Sequence, residues 1–334
     1  MHRAAGRLGP FVQPADGAWS RGQLWEDRPC RKAQVRNAHV MTSQSTAPQK
    51  SVEQLLGELR PRLHRYCARM TGSVIDGEDV VQETMLKAME AAAAPITNPE
   101  GWLFRIAHHA ALDFLRRRAR EEALHSCEDL DMIAAVRNLV EDRQIAAASL
   151  RTFMRLPLSQ RSSVILSDVL GHSLQEICEI VGSSVPAIKA ALQRGRVRLR
   201  TLAAEADDAP APALAEPERT RLKTFVERFN AHDFDAVRTM LAEDVRLEMV
   251  NRVRLNAKKN VAPYFSNYAT RPHWRFIAGF VDRRPAMLVY DADDPDQRVK
   301  YFVLLHWAGD RVVGIRDFVF ARYAMEGAQL ALVD

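Results

Sequence analysis

The stretch "SLQEICEIVGSSVPAIKAALQRGRVRLR", residues 173–200, predicts two short helices joined by a tight turn. Ser173 and Glu176 have the spacing of a capping box, in which the two residues satisfy each other's backbone N–H groups at a helix N-terminus. Gly182 suits the left-handed conformation that ends a helix, and Ser184 can cap the next one. A helix, a glycine turn and a second helix are the parts of a DNA-reading helix-turn-helix.

The second of these helices is cationic, with five Lys and Arg and no acid over residues 185–200. A helical wheel places an apolar stripe inward: Val185, Ile188, Leu192 and Leu199. The residues predicted to contact DNA lie at the start of the helix or around its outer face: Ser184, Pro186, Lys189, Ala190, Gln193, Arg194 and Arg198. Gln193 and Arg194 suit base edges, and the remaining cations suit phosphates. A solvated basic helix is the alternative, so this segment alone indicates no more than DNA binding.

A second basic helix is predicted over "PEGWLFRIAHHAALDFLRRRAR", residues 99–120. Its expected buried face is apolar: Leu103, Ile106, Ala107, Ala110 and Phe114. A separate stripe could lie on nucleic acid, and it consists of Arg105, His109, Leu112 and Arg116. Arg117 belongs to the cationic end of the helix, beyond this stripe. Cations at a helix C-terminus also complement the helix dipole, so capping is an alternative role for that end. His108 and His109 should weaken the positive charge of the stripe near neutral pH.

The segment "DGEDVVQETMLKAME", residues 76–90, predicts a helix with a docking face. Its inward side chains are expected to be Val80, Val81, Thr84, Met85 and Ala88. The outer face holds polar residues around one apolar side chain: Asp79, Gln82, Glu83 and Leu86. An apolar anchor with a polar rim suits protein–protein contact, although an ordinary solvated face would look the same.

Charge is distributed unevenly along the 334 residues, whose formal net charge is +5. Residues 1–200 hold 28 Lys and Arg against 22 Asp and Glu, while residues 201–334 hold 19 against 20. The basic excess favours a polyanionic partner for the N-terminal part. The four cysteines are scattered without a CxxC pair, which indicates reduced thiols; no metal or other cofactor is predicted. No apolar run approaches the ~20 residues that span a bilayer. We therefore expect a cytoplasmic protein.

Composition also predicts how the chain is divided. Residues 1–50 lack periodicity, which predicts a disordered extension, and Met41 is an alternative start to Met1. Helical periodicity over residues 52–120 is broken at 71–77 and at 93–100. After residue 200 an acidic, proline-containing linker, "EADDAPAPALAEP", precedes a half that is expected to combine helices with strands. The expected strands are alternating or apolar runs at 274–280, 286–290, 299–307 and 312–320.

The order of these motifs resembles bacterial RNA polymerase sigma factors of the extracytoplasmic-function (ECF) group. "DGEDVVQETMLKAM" and "WLFRIAHHAALDFLRRR" are similar to region 2 of that family, and residues 155–200 are similar to region 4. The resemblance implies that the outer face of the 78–90 helix binds core RNA polymerase. It also implies that the 99–120 helix and the preceding loop hold the minus-ten promoter element, and that the helix-turn-helix reads the minus-thirty-five element. Promoter DNA and the polymerase are the implied partners.

The C-terminal half resembles the SnoaL-like, or ketosteroid-isomerase-like, cone fold through "FNAHDFDAVRTMLAEDV" and its strand order. In the 300–307 segment, Tyr301, Val303, Leu305 and Trp307 should point to one side of the sheet. An isomerase would need a carboxylate base in an apolar site. The polar candidates form no pair that spacing singles out: Asp282, Asp317, His306 and Tyr290. We therefore predict no catalytic residues and a domain that regulates the chain in cis, with an unknown small ligand as an open option.

The sequence thus predicts a multidomain protein with two all-α sigma domains and an α+β cone-fold domain. The expected boundaries are a disordered extension over 1–50, region 2 over 51–120, a connector over 121–150, region 4 over 151–203, a linker over 204–217 and the SnoaL-like domain over 218–330. Two alternatives stay open. A dimeric helix-turn-helix regulator would bind duplex DNA tightly without polymerase. A cone-fold enzyme with a DNA-binding appendage would keep its turnover after deletion of residues 1–204.

Overall fold

The computed structural model describes residues 52–91, 96–125, 148–203 and 212–333. These fall into two compact units. The helical unit comprises the described residues up to Ala203 together with Tyr323–Gln329, and the sheet unit comprises Pro212–Arg322 and the residues from Leu330 onward. The predicted disordered extension over 1–50 lies outside the described residues. No helix in the described ranges is both long and apolar enough to cross a membrane.

The helical unit contains seven described α-helices and one π-helical turn. In chain order they are α1 Val52–Thr71, α2 Val74–Ala91, α3 Pro99–His125, α4 Leu150–Met154, α5 Leu158–Val164, the π-helical turn Ile165–Val169, α6 Leu174–Val181 and α7 Val185–Ala203. One continuous hydrophobic core runs through residues 56–202, so that Leu63 and Phe104 share it with Phe153 and Leu192. Burial of this apolar surface is what holds the short helices in place.

The expected break at 71–77 is shorter than the sequence suggests. Only Gly72 and Ser73 interrupt the helices, because the Ser73 hydroxyl accepts hydrogen bonds from the backbone N–H groups of Ile75 and Asp76 and so starts α2. Gly77 lies inside α2, where an added Cβ would come within 2.6 Å of the Ala68 backbone. This glycine therefore permits the close crossing of α1 and α2 and does not mark a turn.

The helix-turn-helix prediction is confirmed residue by residue. The Ser173 hydroxyl accepts from the Glu176 N–H at 3.3 Å, and the Glu176 carboxylate accepts from the Ser173 N–H at 2.8 Å, which completes the capping box. Gly182 ends α6 in the left-handed region at φ 71°. At the start of α7 the Ser184 hydroxyl accepts a long hydrogen bond from the Ala187 N–H at 3.4 Å.

The sheet unit packs three helices on one face of a seven-stranded sheet of order β2-β1-β6-β5-β4-β3-β7. The helices are α8 Glu216–Asn230, α9 Phe234–Thr239 and α10 Lys258–Ala269. The strands are β1 Leu241–Met249, β2 Val253–Asn256, β3 Trp274–Val281, β4 Arg284–Asp291, β5 Val299–Ala308, β6 Arg311–Asp317 and β7 Leu330–Leu332. Neighbouring strands are antiparallel except β1 and β6, which are parallel. This unit combines helices with strands, as the sequence predicts.

The four predicted strands are confirmed as β3 to β6, and the predicted alternation along β5 is confirmed as well. Tyr301, Val303 and Leu305 belong to the core between the sheet and the helices, with Trp307 packed at its edge. Three strands, β1, β2 and β7, were not predicted, since two of them have only four and three residues. Helix α8 begins at Glu216, inside the range assigned to the linker.

Candidate nucleic-acid interface

The outer face of α7 presents most of the residues predicted to read the minus-thirty-five element. Ser184, Pro186, Lys189, Gln193 and Arg194 are exposed, and Ala190 and Arg198 are half-buried. The predicted inner stripe is buried at Ile188, Leu192 and Leu199, with Val185 half-buried at the start of the helix. The helix therefore shows one side to solvent and the other to the core, as the wheel predicts.

One cation of α7, Arg196, forms an ion pair within the helical unit. Arg196 binds the Asp168 carboxylate through two nitrogens, with Nε 2.8 Å from Oδ2. The Asp168 side chain is only 3% exposed. Because this ion pair ties α7 to the π-helical turn, Arg196 serves the fold of the helix-turn-helix.

The basic stripe of α3 is exposed at Arg105, His109 and Arg116, and Arg117 in the cationic end beyond it is exposed as well. Leu112, which shares the stripe, is half-buried and packs against the core instead. Of the expected buried face, Leu103, Ala107 and Ala110 are buried, and Ile106 and Phe114 are partly so. The side of α3 available to nucleic acid is accordingly cationic and polar.

His108 was expected to weaken the charge of this stripe, and the structure corrects that expectation. Its ring is buried, and its Nδ1 lies 2.7 Å from the Tyr66 hydroxyl. Burial lowers the pKa of His108 to about 4, so the ring is neutral across the physiological range. Only His109 lies on the exposed stripe.

The outer face of α2 carries the residues predicted to bind the polymerase. Leu86 is 55% exposed, and Asp79, Gln82 and Glu83 surround it as half-buried polar groups. Met89, which the prediction omitted, is 51% exposed one turn beyond Leu86 and enlarges the apolar patch. Its i+3 spacing from Leu86 was the signal that could have identified it.

Glu83 connects this face to the cationic end of α3. Its carboxylate binds Lys87 at 2.8 Å and Arg117 at 2.9 Å. Burial opposes the charge, but the hydrogen bonds from Lys87 and Arg117 outweigh it and lower the pKa of the Glu83 carboxyl. The predicted polymerase-binding and DNA-binding surfaces are therefore adjacent, and they share an ion pair.

In the sheet unit a buried polar cluster surrounds Asp317. Its Oδ2 accepts hydrogen bonds from Tyr264 at 3.0 Å and Tyr268 at 2.6 Å, and its Oδ1 accepts from the Val319 N–H at 2.9 Å. The hydroxyl of Tyr301 lies 3.0 Å from that of Tyr268. Burial raises the pKa of Asp317 to about 6.

Only Asp317 among the four polar candidates of this half joins the cluster. His306 is exposed, and Asp282 lies in the turn between β3 and β4. Sequence reasoning missed Tyr264 and Tyr268, although their i, i+4 spacing on α10 places both on one face of that helix.

Two helical domains with basic faces, the second a helix-turn-helix, are the parts of a sigma-70 type transcription factor. The chain matches the Sigma-70 region 2 family over residues 55–121 and the Sigma-70 region 4 family over residues 150–199. It is 31% identical over 159 residues to the RNA polymerase sigma factor CarQ of Myxococcus xanthus, covering 47% of this chain and 91% of that protein. The chain belongs to the ECF RNA polymerase sigma factors.

Other relatives extend the comparison. The chain is 31% identical over 160 residues to the ECF RNA polymerase sigma factor SigE of Mycolicibacterium smegmatis, covering 46% of this chain but only 62% of that protein. The structure of the sigma factor SigJ of Mycobacterium tuberculosis matches at 18% identity with a TM-score of 0.32, covering 80% of this chain and 95% of that one. An NTF2-like protein from Cytophaga hutchinsonii matches at 12% identity with a TM-score of 0.23, covering 29% of this chain and 95% of that one.

Proposed function

We propose that this chain is a promoter-specificity subunit that binds core RNA polymerase and directs initiation at two promoter elements. The observation that carries the proposal is that both matched sigma regions present basic, exposed helix faces, on α3 and on α7. The chain itself performs no chemistry under this proposal, and it acts in the cytoplasm with the polymerase.

The polymerase contact is assigned to the outer face of α2. An exposed apolar pair, Leu86 and Met89, stands beside the acidic Asp79 and Glu83. Apolar anchors within a polar rim contribute most to the affinity of protein–protein contacts. A surface of this kind favours a protein partner over nucleic acid, because the carboxylates would repel phosphates.

Promoter DNA is assigned to α3 and α7. Arg105, His109, Arg116 and Arg117 would hold the minus-ten element, where a melted strand needs cations for its phosphates. On α7, Gln193 and Arg194 would read bases of the minus-thirty-five element, with Lys189 and Arg198 on phosphates and Ser184, Pro186 and Ala190 at the groove.

For the C-terminal cone-fold domain we propose regulation in cis. The alternative is that this domain is an enzyme or binds a small ligand, with Asp317 as its reactive group. Against a general base at this position, the Asp317 side chain is buried and its carboxylate accepts three hydrogen bonds from within the domain. A general base must lie within hydrogen-bond reach of the proton that it removes from the substrate.

Reconstitution with core RNA polymerase tests the proposal. Genomic DNA would be transcribed with and without the full chain, and the 5′ ends of the RNAs would be sequenced. We expect new start sites that share two upstream elements; unchanged start sites would refute a sigma function. The same assay with a chain ending at Ala204 tests regulation in cis, and identical promoter output from both chains would exclude it.

A further inference from the structure

The segment Tyr323–Gln329 belongs to the helical unit, although the residues on both sides of it, Arg322 and Leu330, belong to the sheet unit. It is therefore a strap from the C-terminal domain whose contacts are made with the sigma helices. Three of its residues contact α1, α2 and α4: Tyr323, Glu326 and Gly327.

Tyr323 completes a buried charge pair between α1 and α2. Its hydroxyl accepts a hydrogen bond from Arg60 Nε at 2.6 Å and donates one to Glu78 Oε2 at 3.0 Å. Arg60 and Glu78 form an ion pair, and both side chains are buried. A buried ion pair is tolerated when its remaining polar atoms are satisfied, and the tyrosine hydroxyl satisfies one atom on each partner.

Glu326 binds two arginines that lie one turn apart on α1. Its carboxylate accepts from Arg65 Nε and Nη2, each at 2.7 Å, and lies 3.4 Å from Arg69 Nη2. Two parallel N–H···O bonds fix the orientation of a carboxylate as well as its position. The strap is thus held to α1 by a bidentate pair as well as by the tyrosine.

The strap also reaches α4, where the matched region 4 begins. A Cβ added at Gly327 would lie 3.3 Å from Leu150, so the Gly327 backbone packs against that side chain. Arg69 is the second partner of Glu326, and its Cζ lies over the Phe153 ring of α4, 5.8 Å from the ring centroid. Contacts of one short segment therefore bridge helices of region 2 and of region 4.

Those two regions are packed together in the helical unit. Arg161 of α5 donates to the Met70 carbonyl at 2.8 Å, and Arg62 of α1 donates to the Leu170 carbonyl at 3.1 Å. A compact unit of about 130 residues has a radius of gyration of roughly 14 Å. Promoter elements some 25 base pairs apart are separated by about 85 Å of duplex. Occupying both elements requires the two regions to separate.

We propose that the surface formed by Arg60, Arg65, Arg69 and Glu78 is a docking site for Tyr323–Gln329 of the same chain, and that its occupation keeps the two sigma regions packed. This inference rests on the proposed function, because it names the contact through which the C-terminal domain would restrain promoter binding. Release of the strap removes its bridge between α1 and α4. This favours an open state, in which the two sigma regions are separated.

Hydrogen–deuterium exchange of the full chain tests the docking directly. When closing is fast, the exchange rate of an amide is proportional to the fraction of molecules in the open state. The double variant Tyr323→Phe, Glu326→Gln is expected to exchange about three- to tenfold faster over Leu150–Val164. The control Glu243→Gln removes an ion pair with Lys258 inside the sheet unit and should leave this rate unchanged.

A second variant separates loss of docking from simple destabilisation. Arg65→Gln removes the other half of the bidentate pair, so it should reproduce the effect of Glu326→Gln, and combining the two should add little. An exchange rate over Leu150–Val164 within about twofold of the parent chain in the double variant would overturn the proposal. Equal acceleration over β3, β4 and β5 would also overturn it, because it would mean that the whole chain is destabilised.

Transcription distinguishes this inference from the function on which it rests. At limiting core polymerase, the double variant should raise promoter-specific output by a factor similar to its exchange effect. Absence of promoter-specific RNA from both the parent and the variant would refute the sigma function, while the exchange result would still decide whether the strap docks. Equal output from both, with normal parent activity, would overturn the restraint.

Discussion

Arg117 near the end of α3 donates a hydrogen bond to Glu83 of α2 at 2.9 Å. The pair joins the cationic end of α3, just beyond the basic stripe, to the face assigned to polymerase binding. Since Arg117 and Glu83 are both partly exposed, their interaction contributes little to stability, on the order of 0.2–1 kcal/mol. Its significance is positional, because it places the two proposed surfaces of region 2 side by side.

Reversing the charge of the α2 face should abolish polymerase binding. Replacing Asp79 and Glu83 by Arg removes the acidic rim around Leu86 and places cations beside Arg117. Binding to labelled core polymerase would be measured by fluorescence anisotropy, with circular dichroism as the check that the fold is intact. Glu243→Arg, a single charge reversal in the sheet unit, is the control. Retained affinity in a folded double variant would contradict the assignment of this face.

On α7, base reading and phosphate contact should differ in their signatures. Arg194→Ala is expected to cost about 1–3 kcal/mol of binding at one promoter position and to relax preference there. Lys189→Ala should weaken binding evenly across sequences and reduce the slope of log affinity against log salt by about one. The measurement is binding of the polymerase holoenzyme to a promoter library at several salt concentrations. If neither variant changes affinity or preference, the recognition face lies elsewhere.

Arg196 should matter for stability more than for promoter choice. Arg196→Ala leaves the buried Asp168 carboxylate without its main partner, which is expected to cost about 1–3 kcal/mol of the free energy of unfolding. Thermal unfolding by circular dichroism would measure this, with the exposed Arg194→Ala as the control that should change stability little. A stable Arg196→Ala protein with altered promoter preference would show that Arg196 reads DNA.

Asp317 should give the sheet unit a distinctive pH dependence. Its pKa of about 6 in the folded state exceeds the ordinary value of 3.8, so between these values the folded state holds a proton that the unfolded state has lost. The free energy of unfolding should therefore fall by about 2 kcal/mol as pH rises from about 4 to about 6. Asp317→Asn should remove this contribution to the slope.

Urea unfolding can isolate that effect. In a chain with Trp19, Trp25 and Trp102 replaced by Phe, fluorescence reports only on Trp274 and Trp307 of the sheet unit. The comparison is between the pH profile of this chain and that of the same chain carrying Asp317→Asn. Parallel profiles would mean that the Asp317 carboxyl is ionised in the folded state at these pH values.

Features set by neighbours in sequence could be predicted. The capping box, the left-handed glycine and the stripes of α7 follow from spacings of three or four residues, and the structure bears them out. The alternation along β5 follows from the two-residue period of a strand. Gly77 was misinterpreted as a turn residue because its requirement comes from Ala68 on another helix.

Contacts between distant residues could not be predicted. Arg60 and Tyr323 are 263 positions apart, and nothing near either residue indicates that they share a hydrogen bond. The burial of His108 by Tyr66 and the tyrosines around Asp317 have the same cause, since burial depends on which surfaces the complete fold brings together. Composition gives the charge of such residues but not their partners.

The close crossing of α1 and α2 at Gly77 depends on the absence of a side chain at that position. Any larger side chain at that position would push α2 away from α1. This displacement would move Leu86 and Glu83 relative to Arg117. Alanine there would add a single methyl group on the buried side of α2, which faces α1 and not either proposed surface. It would nevertheless misalign them, so a residue assigned to neither DNA nor polymerase binding should tolerate mutation poorly.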